Sequence, residues 1–169
     1  GTVMRASKII SIILHPIFMP LIALKTTLFF APSLTFSIYS YENFITLIVF
    51  LTTVVLPLLL ILFLVKQSKI PSLEMVNYRD RPAPLMYSAL IMLIGYCTLE
   101  PILTLAPVLK VEFLGAIIIV GVAAFISKYW KVSLHMLGIG GLTGVVIAVD
   151  LLVGGLYPLI TLVILLSGI

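Results

Sequence analysis

Long apolar stretches run along this chain, and short polar segments separate them. The stretches cover roughly residues 9–30, 45–65, 85–99, 113–127, 132–149 and 157–169. A helix needs about 20 apolar residues to cross a membrane. The pattern therefore predicts an all-α, polytopic integral membrane bundle of about six transmembrane helices.

The third, fourth and sixth stretches are short for a crossing, which predicts either helices longer than the apolar runs or local thinning of the bilayer. Gly154 and Gly155 predict a turn before the last stretch. Residues 1–169 are expected to form one transmembrane helical domain.

Composition supports a membrane location. Hydrophobic residues make up 62% of the chain, charged residues 9%, and the mean hydropathy is +1.32. Soluble domains have about 45–50% apolar and about 25% charged residues. The net charge of +4 arises in short segments between apolar runs, so it predicts contact with membrane lipids and not with nucleic acid.

The basic residues also predict an orientation. Eight of the ten fall on the side that holds the N-terminus: Arg5, Lys8, Lys66, Lys69, Arg79, Arg81, Lys128 and Lys131. The other two, Lys25 and Lys110, fall on the opposite side. Because lysine and arginine concentrate in cytoplasmic loops, the N-terminus and both polar motif segments are predicted to be cytoplasmic. The expected location is a bacterial inner membrane.

One candidate site lies in the polar segment 75–84, where Arg79 and Arg81 precede Pro82. Proline is tolerated in the first turn of a helix, so Pro82 is expected to begin one. Arginine has a planar fork of donors and a permanent charge, which suit it to bind phosphate. The alternative is that both arginines are interfacial anchors at the cytoplasmic face.

A second candidate site is formed by Lys131, Ser133 and His135. Ser133 is expected to cap the next helix, leaving its positive dipole end available to an anion. Lys131 adds charge, and His135 can exchange a proton there. The alternative is a histidine that hydrogen-bonds a neighbouring helix, next to an interfacial belt formed by Tyr129 and Trp130. Two crossings separate this site from the first, so both are expected on the same side.

Three other features receive structural interpretations. Small residues allow close helix contact in lipid, so four glycines are expected to serve packing: Gly138, Gly140, Gly141 and Gly144. His15, next to Pro16, is interpreted as a kink residue, and the alternative is that it approaches the same site. Asp150 is expected at the interface opposite the two candidate sites.

At these residues the chain resembles the type-2 phosphatidic acid phosphatase superfamily. Arg81-Pro82 fits the Arg-Pro of the first family motif. Ser133 and His135 fit the serine and histidine of the second motif, without its proline and glycine. Glu74 stands where the family has a lysine, and Arg79 or Lys69 is the candidate to replace it.

The resemblance implies a six-helix core that removes phosphate from lipids through a phosphohistidine intermediate. It implies that Arg81, Lys131 and Ser133 bind phosphate, and that His135 is the catalytic acid that protonates the leaving oxygen. The third family motif, which supplies the nucleophile, is not found up to Ile169. A continuation beyond Ile169 is therefore expected. The family often works on the outer side of the bacterial membrane, whereas the charge pattern favours the inner side, and both orientations stay open.

No cofactor or metal is expected. The only aspartates, Asp80 and Asp150, do not form the spaced pair by which intramembrane prenyltransferases hold magnesium. The function predicted is that of a lipid phosphatase or phosphotransferase acting on a phosphorylated lipid. The alternative is a non-catalytic membrane protein: an accessory subunit that binds partner proteins in a larger complex, or a phosphatase relative that lost its nucleophile.

Overall fold

The computed structural model describes residues 16–73, 75 and 77–155, and every regular element within these ranges is a helix. We number the helices α1 (Pro16–Phe30), α2 (Pro32–Lys66), α3 (Pro82–Leu103), α4 (Pro107–Ser127) and α5 (Leu134–Val153). The predicted all-α class is therefore confirmed.

Four of these helical segments are long and apolar enough to cross a membrane: Pro32–Lys66, Tyr78–Leu103, Pro107–Ser127 and Leu134–Val153. Helix α1 is apolar but shorter. The last predicted stretch, 157–169, and the first residues of the first stretch, 9–15, lie outside the described residues, as does His15. The structure thus supports four crossings, consistent with a membrane location.

Helices α3 and α4, with 22 and 21 residues, are longer than the apolar stretches that predicted them. The sequence suggested that Glu100 and Pro101 end a helix, but α3 continues through both to Leu103. Lys110 of α4 binds Glu100 at 3.1 Å, so the carboxylate is compensated at the end of the bundle. Of the two alternatives for these stretches, the first, helices longer than the apolar runs, is confirmed, because charged residues lie within the terminal turns of α3 and α4.

Helix α2 is irregular. It contains a 3₁₀ segment at Phe36–Tyr41 and a π segment at Leu51–Val55, followed by Pro57. The hydroxyl groups of Thr52 and Thr53 each donate to the carbonyl four residues earlier, at 2.7 Å, which satisfies these polar groups within the helix. The wide turn brings α2 against α3 at Gly95, where a Cβ atom would lie 2.6 Å from the Thr52 hydroxyl.

The outward faces of the helices are as apolar as their packed faces. Val111, Phe125 and Leu151 have exposed fractions of 69%, 65% and 70%. Apolar residues such as Ile45, Leu99 and Val146 fill the interior. A soluble bundle would carry polar residues on its outer surface, so this distribution fits helices that face lipid.

The helices alternate between two ends of the bundle. Helices α3 and α4 form a hairpin, and α5 packs along α1. The segments 66–82 and 127–134 meet at what we call the basic end. The segments 25–42 and 100–112 meet at the opposite end, which we call the paired end. Gly154, with a φ of 72° that favours glycine, ends α5 at the predicted turn.

Candidate functional site

Arg81 joins the two candidate sites at the basic end. Its Nε donates to the carbonyl oxygen of Met75 at 3.0 Å, and its Nη1 donates to the carbonyl oxygen of Val132 at 2.6 Å. Val132 lies between Lys131 and Ser133. The segment before α3 and the link before α5 are thus attached by one half-buried guanidinium group. These contacts to the backbone were not anticipated from the sequence.

The local backbone before α3 depends on side-chain contacts. Asn77 accepts a hydrogen bond from the Arg79 amide at 3.1 Å and caps the 3₁₀ turn Tyr78–Asp80. Met75 has a φ of 44°, in the left-handed region that residues other than glycine rarely adopt. The Arg81 bond to the Met75 carbonyl, together with burial of the Met75 side chain against Leu64, holds this conformation.

Ser133 caps α5 as predicted. Its backbone is extended, and its Oγ accepts a hydrogen bond from the Met136 amide at 3.2 Å. His135 is the second residue of the helix and is half-buried. Its imidazole ring makes no hydrogen bond to another described residue. The Val132 carbonyl group that Arg81 binds therefore lies next to the positive end of the α5 dipole. The exposed Lys131 and the imidazole of His135 lie close to it in sequence.

The other predicted arginine is placed differently. The Arg79 side chain is exposed, and its guanidinium carbon lies 5.9 Å from the centre of the Tyr78 ring. Similarly, Lys128 lies 5.7 Å from the centre of the Tyr129 ring. No described basic residue at this end has an ion-pair partner, although Asp80 lies in the same segment. Arg79 thus contributes charge to the surface, and the structure gives it no contact with the 131–135 segment.

A partly open cavity of about 890 Å³ is bounded by residues of all five helices. Its lining is mostly apolar, with Ser88 and Thr53 among the few polar groups. At the basic end, the lining includes Met75 and Leu134, which lie beside groups involved in the Arg81 contacts. The cavity therefore extends from the basic end into the interior, where an apolar chain is favourably placed.

The glycines of α5 divide into two pairs. A Cβ atom on Gly138 would lie 2.9 Å from Met19, and one on Gly141 would lie 3.1 Å from Ile119, so these two serve packing as predicted. Gly140 and Gly144 line the cavity, and a Cβ atom on either would meet nothing within 4 Å. For this second pair the described residues show no close helix contact, so the packing interpretation stays a prediction.

Two acidic residues have environments that the sequence did not indicate. Asp150 lies in the last turn of α5, at the end opposite the two candidate sites, but it is 3% exposed and its Oδ1 has no hydrogen-bond partner within the described part of the chain. Glu112 accepts a hydrogen bond from the hydroxyl of Thr27 and lines the cavity. The sequence offered one signal for Glu112, which is that its carboxyl group lies next to the long apolar stretch 113–127.

Clusters of three or more histidine, cysteine, aspartate or glutamate side chains suited to a metal ion do not occur in residues 16–73, 75 and 77–155. Comparison of the chain with protein-family models, with curated proteins and with solved structures finds no match.

Proposed function

We propose that this protein binds a phosphorylated lipid at the basic end of a membrane-embedded bundle and acts there as a lipid phosphatase or phosphotransferase. The observation that carries the proposal is the Arg81 bond to the Val132 carbonyl. It holds together two basic segments that are 51 residues apart in sequence. Cations without acidic partners favour an anionic ligand, and phosphate is the anion that a lipid presents at this depth.

The roles proposed for the side chains follow from their positions. Lys131 is exposed and free to approach a phosphate group, and the capped start of α5 directs its dipole towards the same place. Arg81 positions the two segments through its backbone contacts and keeps donors on Nη2 for the ligand. His135 protonates the oxygen of the leaving alcohol while a nucleophile, either water or a further side chain, attacks the phosphorus, so that one P–O bond breaks as the new bond to phosphorus forms. The apolar cavity holds the chains of the lipid.

The orientation belongs to the same proposal. The basic end would face the cytoplasm of a bacterial cell, because unpaired lysine and arginine side chains favour the cytoplasmic side of the inner membrane. The lipid would then present its phosphate from the inner leaflet.

A second candidate function is phosphate-lipid binding without catalysis, in a degenerate relative or in an accessory subunit. Two observations favour it. The Arg81 guanidinium already donates to two backbone carbonyls, which is a structural role. His135 is the one histidine within the described residues, so this part of the chain supplies no second imidazole as a nucleophile.

Binding and turnover must be measured separately to distinguish the two candidates. The full-length chain is reconstituted in phosphatidylcholine vesicles with and without phosphatidate, and both lipid binding and phosphate release are followed. We expect Lys131→Ala to weaken phosphatidate binding about tenfold, the loss of one charge-assisted contact. We expect His135→Ala to abolish phosphate release and to leave binding within about threefold of the wild type.

Lys128→Ala is the matched control, because Lys128 is exposed at the same end but lies over Tyr129. It should change neither quantity. Binding without phosphate release in the wild type would select the non-catalytic candidate. Equal binding to vesicles with and without phosphatidate would contradict both.

A further inference from the structure

We propose that the cavity also has a second binding site at the paired end, where Glu112 and Thr27 receive a long-chain amphiphile whose polar group donates hydrogen bonds: an amine or an alcohol. This site lies at the opposite end of the bundle from the phosphate site and takes a ligand of opposite character, so it goes beyond the function proposed above.

The position of the Glu112 carboxyl group is the first step. Glu112 belongs to α4, and one of its oxygens accepts a hydrogen bond from the hydroxyl of Thr27 on α1. Thr27 has no exposed surface, so this bond fixes the carboxyl group from inside the bundle. Glu112 also lines the cavity. The carboxyl group is therefore oriented by the protein and accessible to a molecule in the cavity.

The charges at the paired end are the second step. Lys25 binds Glu42 at 3.4 Å, and Lys110 binds Glu100 at 3.1 Å. Within the described residues no basic side chain forms an ion pair with Glu112. A carboxylate without a cation in apolar surroundings favours a ligand that supplies a positive charge or a hydrogen-bond donor. A phosphate group or a fatty-acid carboxylate supplies neither a positive charge nor a hydrogen-bond donor to this acceptor.

The third step is the space beside the carboxyl group. Gly115 lies three residues after Glu112, on the same face of α4, and a Cβ atom there would meet nothing within 4 Å. Gly140 and Gly144 of α5 border the same cavity with equally open surroundings. The remaining lining near Glu112 is apolar, including Leu103, Val108 and Leu109. An acceptor at the wall of an apolar space of about 890 Å³ matches an amphiphile with one polar group.

The test uses three probes with the same chain length: hexadecylamine, hexadecanol and palmitate. Binding of each to the full-length, detergent-purified protein is measured by native mass spectrometry. We expect the amine or the alcohol to bind about tenfold more tightly than palmitate. Tight binding of the amine alone indicates charge pairing, and tight binding of both indicates hydrogen bonding; either result supports the site. Equal affinity for all three probes would overturn it.

Variants locate the site within the molecule. Glu112→Gln keeps the shape of the side chain and should reduce amine affinity about tenfold, while the alcohol stays within about threefold. Gly115→Phe and Gly144→Phe fill the cavity from two helices and should remove binding of both probes. Gly121→Phe is the control, since a Cβ atom there also meets nothing within 4 Å but Gly121 does not line the cavity.

Unchanged amine binding in Glu112→Gln would overturn the role of the carboxyl group. Unchanged binding of the amine and the alcohol in both Gly115→Phe and Gly144→Phe would show that the probes do not bind in the cavity. The phosphatidate assay with Lys131→Ala and His135→Ala reports on the opposite end, so failure of one proposal is distinguishable from failure of the other.

Discussion

The two ends of the bundle differ in whether their basic side chains have carboxylate partners. At the paired end, Lys25 and Lys110 each have a carboxylate partner. At the basic end, the described lysines and arginines have none, and Arg81 binds backbone carbonyls instead. Paired charges stabilise a structure locally and leave little net field. Unpaired charges of one sign repel each other and are retained where an anion neutralises them. The difference therefore distinguishes an end whose surface charges are neutralised by ion pairs from the end at which we propose that a phosphate group binds.

The largest effect is expected from Arg81→Ala. This change removes two hydrogen bonds from a charged donor and releases the left-handed Met75 segment. We expect the free energy of unfolding to fall by about 2 to 3 kcal/mol, measured by denaturation in detergent micelles. Arg79→Ala is the control, because Arg79 is exposed and should cost less than about 0.5 kcal/mol. Equal losses of stability in the two variants would mean that the Arg81 bonds to Met75 and Val132 do not stabilise the basic end.

A smaller effect is expected from Thr27→Val at the paired end. The valine keeps the volume but removes the donor to Glu112, so the free energy of unfolding should fall by about 1 to 2 kcal/mol. Thr27→Ser restores the hydroxyl and should recover most of the loss. The measurement is the same denaturation experiment, and a neutral Thr27→Val would indicate that Glu112 has another partner.

Ser133→Ala tests the helix start at the basic end. Loss of the bond to the Met136 amide should cost about 1 kcal/mol. Ser133→Asp should retain stability, because aspartate also caps helices, yet it should weaken phosphatidate binding by adding negative charge. Stability and vesicle binding are measured on the same samples. If Ser133→Asp binds as tightly as the wild type, the start of α5 does not contact the phosphate.

The smallest effect is expected from Lys110→Ala. Its partner Glu100 is largely accessible at the surface of the bundle, and such pairs contribute little. We expect a lower Tm than that of the wild type, with a shift smaller than that of Thr27→Val, and phosphatidate binding should not change. A double-mutant cycle with Glu100→Gln isolates the pair. A loss of phosphatidate binding in Lys110→Ala would contradict the proposal that phosphate binds at the basic end and not at the paired end.

Local signals in the sequence predicted the helices and several of their boundaries. Pro82 begins α3, Ser133 caps α5, and Gly154 ends it, each for a reason that lies in the residue itself. Glu100 was misinterpreted as a boundary, because the sequence does not reveal that Lys110 compensates its charge across the α3–α4 turn. The helical class therefore followed from composition, while exact helix lengths depended on contacts between helices.

The candidate site was predictable only in part. Residue types placed Arg81, Lys131, Ser133 and His135 on one side of the bundle, and the Arg81 bond to Val132 agrees with that arrangement. The Thr27–Glu112 bond joins residues 85 positions apart, and no local pattern in the sequence encodes it. The space beside Gly140, where a Cβ atom would meet no described residue within 4 Å, likewise depends on how the helices pack and not on a local pattern.

The Arg81–Val132 bond has a consequence for how the chain assembles. It closes a loop that contains all of α3 and α4, which already form a packed hairpin. The entropy cost of closing this loop is then small, because the hairpin has brought its two ends together beforehand. The bond forms only after the chain has emerged from α4 and turned towards α5. We therefore expect it to act late in biogenesis, as a check that α4 has followed α3 before α5 enters the bilayer.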